Sequence, residues 1–324
     1  MRPTDRSRPT ADGNVLLLEH INLSIQESGD DATSSGIFYL NVLGCARDPR
    51  VQRMVHANIG LSQFHVLPDQ PVGQRINGEI ALFYPDLDQF AEHVAKQAYP
   101  HEWKNCRSNH LPPSIASWDF ANASSLYRHI QLLCPNRNVF KCFQAPEDYS
   151  SAVEAIGTQP GAHSLGMGMA YIKFFVRSGI ALGIARFYEE FLGATCTMEK
   201  SSDGQVVCAV ECGSIQRLLF EEVSSDVQLQ PYDGHHICIY ISEFESSFFH
   251  LHERQLTWNN PLFEDRCDSW AEAEKHNQYR ILRVVDPATE TLLMELEHEI
   301  RPVSHSRCPL YANPNSVSTI SSGM

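Results

Sequence analysis

Histidine, glutamine and acidic residues interrupt several alternating apolar segments of this chain, and chemistry could arise where they do so. His20 sits in LEHINLSI, Gln63 and His65 in SQFHVL, His235 and His236 in HHICIYI, and Glu295 and Glu297 in ELEHE. Gln63 and His65 are two residues apart and share one strand face, whereas His235 and His236 are adjacent and point to opposite faces. Imidazole and carboxylate are good ligands for divalent transition metals. Taken singly, each residue has a plainer role. A histidine on a half-apolar strand is more often a hydrogen-bonded core residue than a ligand, and ELEHE would serve as a solvated edge strand. The cluster His250, His252 and Glu253 falls on a predicted helix and is expected to be exposed. Other chemistries find no support. The ten cysteines are scattered with no C-x-x-C pair, which points to buried reduced thiols rather than a zinc knuckle or a disulfide framework. Gly166-Met167-Gly168-Met169 lacks the spacing of a nucleotide loop, and there is no G-x-S-x-G elbow.

The elements that must position these residues repeat. FYLNVLG (38–44) and FYEEFLG (187–193) both read F-Y-x-x-x-L-G at the end of a helix-like stretch, where glycine is the expected terminator. Each follows an alternating strand, LEHINLSI (18–25) or AYIKFFVR (170–177). Later in each half a strand runs into an acidic turn and a helix, at 78–96 and 235–253, and each half ends in a hairpin, at 130–143 and 280–296. The order is two βαβββ units per half, four in the chain. It predicts an α+β fold of two tandem domains with mixed, curled sheets, at 15–146 and 169–303. Segment 147–168 is rich in small residues and proline and reads as a linker; 1–14 and 304–324 read as flexible ends. The insertion 97–125, with Pro112-Pro113, Trp103 and Trp118, has the length of a lid or an ordered surface loop.

Composition bounds the function. The 324 residues are 43% hydrophobic, enough for real cores, and the net charge is −14. A field of that sign opposes nucleic acid and anionic membrane surfaces as partners. No apolar run approaches the ~20 residues of a spanning helix, and Asp5 and Asp12 are untypical of an organelle-targeting segment. A cytoplasmic protein, monomer or homodimer, acting on a small molecule is the expectation.

The motifs HINLSI, FYLNVLG, FYEEFLG, HHICIYISEFE and VVDPATETLLMELE, in this order over roughly 17–145 and 168–300, resemble those of the vicinal oxygen chelate superfamily. That group includes glyoxalase I, extradiol dioxygenases and fosfomycin-resistance proteins. The resemblance implies that metal ligands project from four strands of each half. In the first half these places hold His20, Gln63 or His65, Glu79, and Lys141; in the second, Tyr171, Leu219 or Glu221, His236, and Glu295, with Glu297 as the alternative. Neither half is complete. Two-domain members can build each site across the domain interface, and that arrangement collects His20, Gln63 or His65, His236 and Glu295 into one metal site. The other site would hold Glu79, Lys141, Tyr171 and Glu221 and would be metal-free, because an ammonium repels a divalent ion and pairs with a carboxylate. The implied cofactor is one divalent ion, Fe, Mn, Ni, Co or Zn. The implied reaction is glyoxalase-like lyase or isomerase chemistry, or dioxygenase chemistry, on a substrate with adjacent oxygens, with Glu295 also able to serve as a base. The rival is a metal-free protein of the same fold that sequesters a small ligand.

Overall fold

The computed structural model describes residues 13–25, 37–51, 54–67, 70–107, 126–146, 149, 152–153, 156–201 and 203–310. Most of the expected flexible ends and of the insertion, with Trp118, lies outside the described residues.

Among the described residues, fifteen strands form two mixed sheets. The first unit supplies β1 (Val15–Ser24), β2 (Ala46–Arg47), β3 (Val55–Ile59) and β4 (Ser62–Leu67). The second supplies β5 (Gly78–Tyr84), β6 (Glu102–Arg107), β7 (Leu126–Leu133) and β8 (Val139–Gln144). The third supplies β9 (Gly168–Arg177), β10 (Cys196–Lys200), β11 (Val206–Cys212) and β12 (Gln216–Val223). The fourth supplies β13 (His236–Ile241), β14 (Tyr279–Val285) and β15 (Leu292–Pro302). In every unit the first strand pairs parallel with the last.

Each sheet takes one unit from each half of the sequence. The seven-stranded sheet runs β14-β15-β13-β1-β4-β3-β2, and the eight-stranded sheet runs β10-β11-β12-β9-β5-β8-β7-β6. The units are joined edge to edge by antiparallel ladders, β1 with β13 and β9 with β5. The halves of the sequence therefore share both sheets.

Helices α1 (Leu87–Lys96), α2 (Ala181–Leu192), α3 (Phe244–Glu253) and α4 (Trp270–His276) cover the outer faces. The Asp86 side chain accepts the Gln89 N–H at 2.9 Å and opens α1, and Leu87, Phe90 and Val94 form its buried stripe. Gly193, at φ 57°, ends α2, as expected of FYEEFLG. FYLNVLG behaves differently. Ile37–Val42 is a π-helical turn closed by the Leu43 N–H on the Phe38 carbonyl at 2.9 Å, and the left-handed residue is Gly44, φ 65°. Strand alternation sends Ile21, Leu23, Phe64, Val66, Ile237 and Ile239 into the core beneath the helices. The opposite faces meet in a second apolar cluster that joins Phe83, Tyr171 and Leu219 of one sheet to Leu61, Cys238 and Tyr240 of the other.

Candidate metal centre

The inner face of the seven-stranded sheet is polar for most of its width. Strand registers lay out two adjacent rows. One reads Asn58, Gln63, His20, Cys238, Glu299, Arg280 across β3, β4, β1, β13, β15 and β14. The next reads His56, His65, Asn22, His236, Glu297. His20, His236 and Glu299 offer ligand atoms that all lie within 4.8 Å of one another, and all three residues are buried. This is a two-histidine, one-carboxylate set.

The structure brings some of the expected ligands together and leaves others out. His20 and His236 meet, with ring centroids 5.7 Å apart. His65 stacks on His20 at 3.6 Å, with His56 on its far side at 3.6 Å, so three imidazoles form a pile. Gln63 is committed elsewhere. Its amide N–H groups donate to Asp48 at 2.6 Å and Asn58 at 2.5 Å, and its Oε1 accepts from His65 Nε2 at 2.8 Å. Glu295 does not reach the cluster. It is exposed, opposite Arg283 on β14. The ladder pairs His236 with Glu297 and Cys238 with Glu299, so Glu295 lies four residues back along the strand, about 13 Å away. The carboxylates at the site are therefore Glu297 and Glu299.

Two arginines that sequence reasoning missed hold those carboxylates. Arg280 donates from Nη1 to Glu297 at 2.7 Å, from Nη2 to Glu299 at 2.7 Å and from Nε to Asp265 at 2.8 Å. Arg301 pairs with Glu299 and donates to Glu19 Oε2 at 3.1 Å. The alternation E-x-E-x-E-x-R from Glu295 to Arg301 was the available signal, since it marks one wholly ionic strand face. Burial raises the Glu299 pKa, but Arg301 and Arg280 outweigh it and hold the carboxyl well below its usual range. Burial, helped by Arg280, keeps His236 well below the ordinary histidine value, and burial with His20 does the same for His65. Both imidazoles are thus neutral at pH 7, as a metal ligand requires.

The donor set fits a divalent ion on two further observations. His20 Nε2 is buried with no hydrogen-bond partner, an arrangement that costs free energy unless something binds there. The charges also leave room for a cation: among the described residues, Glu19, Asp265, Glu297 and Glu299 pair with Arg280 and Arg301 as their buried cations.

The corresponding place in the other sheet is built differently. Lys141 Nζ lies 2.7 Å from Glu79, Tyr171 donates to Glu79 at 2.8 Å, and Lys173 Nζ sits 2.7 Å from Glu221 and 3.4 Å from Glu79. Lys173, which sequence reasoning passed over, completes the network. Burial raises the Glu79 pKa, yet Lys173 and Lys141 lower it from 4.5 to about 2. A folded-state pKa below the unfolded value means that the pair stabilises above about pH 4.5 and is lost as pH falls toward 2. At full strength this is about 3 kcal/mol. Glu79→Gln should therefore lower stability at neutral pH and flatten the acid limb of the stability curve, measured by urea unfolding between pH 2 and 7. It should leave metal content unchanged.

No protein-family model matches the chain, and no curated protein does. Among solved structures it superposes on glyoxalase I from Zea mays with a TM-score of 0.52 at 12% identity, covering 88% of this chain and 91% of that one. A putative dioxygenase from Bacillus subtilis subsp. subtilis str. 168 gives a TM-score of 0.52 at 11% identity, covering 90% and 87%. The chain shares the fold of these two structures. Among the described residues no helix is long and apolar enough to cross a membrane.

Proposed function

We propose that this chain is a divalent-metal-dependent enzyme of the vicinal oxygen chelate type, acting on a small molecule with adjacent oxygens. The observation that carries this reading is the convergence of His20, His236 and Glu299, with His20 Nε2 buried and unpartnered. A bound divalent ion would supply Lewis acidity toward two neighbouring substrate oxygens. The chain's own residues do the rest. Arg280 and Arg301 fix Glu299, and stacking between His56 and His20 fixes His65.

A cleft of about 520 Å³ lies beside the cluster, with Val72, Trp258, Pro261 and Leu262 in its walls and Glu297 shared between cleft and cluster. The raised pKa of Glu297, caused first by burial, suits it to exchange a proton with a bound molecule. Asn260 steadies its Oε2 at 2.8 Å. The residues described around the cleft include Asp233 and Glu297 and no lysine or arginine. An uncharged substrate is accommodated there better than an anion.

Elemental analysis after reconstitution tests the reading. About one mole of Fe, Mn, Ni, Co or Zn per chain is expected, and turnover of a neutral substrate with adjacent oxygens should require it. One observation favours the rival reading, a metal-free binding protein: Arg280 already bridges Glu297 and Glu299, as Lys173 does Glu79 and Glu221. Absence of metal after reconstitution would establish that reading instead.

A further inference from the structure

We infer that Glu19 is the positioning residue of the centre: it fixes the tautomer of His20 so that a bare Nε2 faces the ligand cluster. Strand β1 gains one residue on β13 between Leu18 and His20, because Leu18 faces Ile239 while His20 faces Cys238. That bulge turns Glu19 inward beside its neighbour instead of to the opposite face. Glu19 is 1% exposed. Its Oε2 lies 3.0 Å from His20 Nδ1, so an ionised carboxylate makes that nitrogen the protonated one. Nε2 is then the lone-pair nitrogen, and it is the atom left without a partner. A carboxylate behind a ligating histidine both orients the ring and raises its basicity.

Glu19 is itself held from two directions. Arg301 donates to Oε2 at 3.1 Å, and Gln159 Nε2 donates to Oε1 at 3.1 Å. Gln159 belongs to the segment between the two halves, whose backbone is tied to the first sheet by Gln159 N–H on the Gly60 carbonyl at 2.9 Å and Leu165 N–H on the Gly44 carbonyl at 2.8 Å. The linker thus supports the centre from behind, through Glu19.

The affinity arm of the test rests on the metal reading above, and the tautomer arm does not. In the metal-free wild-type protein, nitrogen-15 NMR of the imidazoles should show His20 protonated at Nδ1 and bare at Nε2. The opposite tautomer overturns the inference without any variant. Glu19→Gln keeps an acceptor but removes the charge, and Glu19→Leu removes both. Zinc dissociation constants, read by competition with a chromophoric chelator, should rise about 10-fold for the first and about 100-fold for the second. His20 in Glu19→Leu should lose its single tautomer. An unchanged zinc constant in a folded Glu19→Leu protein overturns the inference. If the wild type binds no zinc while the tautomer is as stated, the metal reading falls and the role of Glu19 in setting His20 stands.

Discussion

Glu299→Gln should abolish stoichiometric metal binding, and His236→Ala should do the same. Each removes one of the three proposed protein ligands, so the loss should exceed the roughly 10–100-fold typical of an outer-sphere change. Both side chains are buried in the cluster, 3.6 Å apart at His236 Nε2 and Glu299 Oε2. Glu295→Gln is the matched control. Glu295 is exposed and four residues along the strand, so its loss should leave metal content and affinity unchanged. Metal counting on reconstituted variants reads all three. Retention of metal by Glu299→Gln with loss in Glu295→Gln would show that the site lies elsewhere on β15.

Arg280→Met should give the largest loss of stability of any single change at the centre. Arg280 is 3% exposed and contacts three carboxylates, those of Asp265, Glu297 and Glu299. Its guanidinium also lies 4.3 Å from the centre of the Phe263 ring, so its removal leaves a gap as well as unpaired charge. Stranding buried carboxylates in this way costs about 3–5 kcal/mol. Urea unfolding at pH 7 should show a loss in that range. A loss below about 1 kcal/mol would mean that water or rearrangement satisfies the acids and that the cluster is less closed than described.

Saturating metal should partly offset the Arg280→Met loss, because a ligand that binds only the folded state stabilises it by mass action. The same addition should raise Glu79→Gln no more than it raises the wild type, because Glu79 lies outside the metal site. Its site is already neutralised by Lys141 and Lys173, and no candidate ligand group among the described residues includes it. The two substitutions therefore separate the two corresponding sites by one measurement, the shift in unfolding midpoint with and without zinc.

The sequence by itself determined the element order and the inward faces. Period-two alternation in HINLSI and SQFHVL puts His20 and His65 on the faces away from the helices, because Ile21 and Phe64 must lie beneath them, and of His235 and His236, adjacent on opposite faces, the structure brings His236 to the cluster. The glycine that ends α2, Gly193, was equally readable. The family resemblance implied Lys141 beside Glu79 or Glu221, and the structure pairs it with Glu79. What only the tertiary structure decided was register between strands far apart in the chain. Counting from the Asp286-Pro287 turn points to Glu295, but irregular pairing in the β14–β15 hairpin carries the useful carboxylates on to Glu297 and Glu299. The bulge that turns Glu19 inward exists only because β1 pairs with β13, a strand more than 200 residues away. Arg280, Arg301, Lys173 and Gln159 read as ordinary polar residues until those ladders bring their partners within 3.5 Å. Alternation fixes which face a side chain takes, whereas the neighbours it meets there are set by long-range strand pairing, which no local pattern encodes.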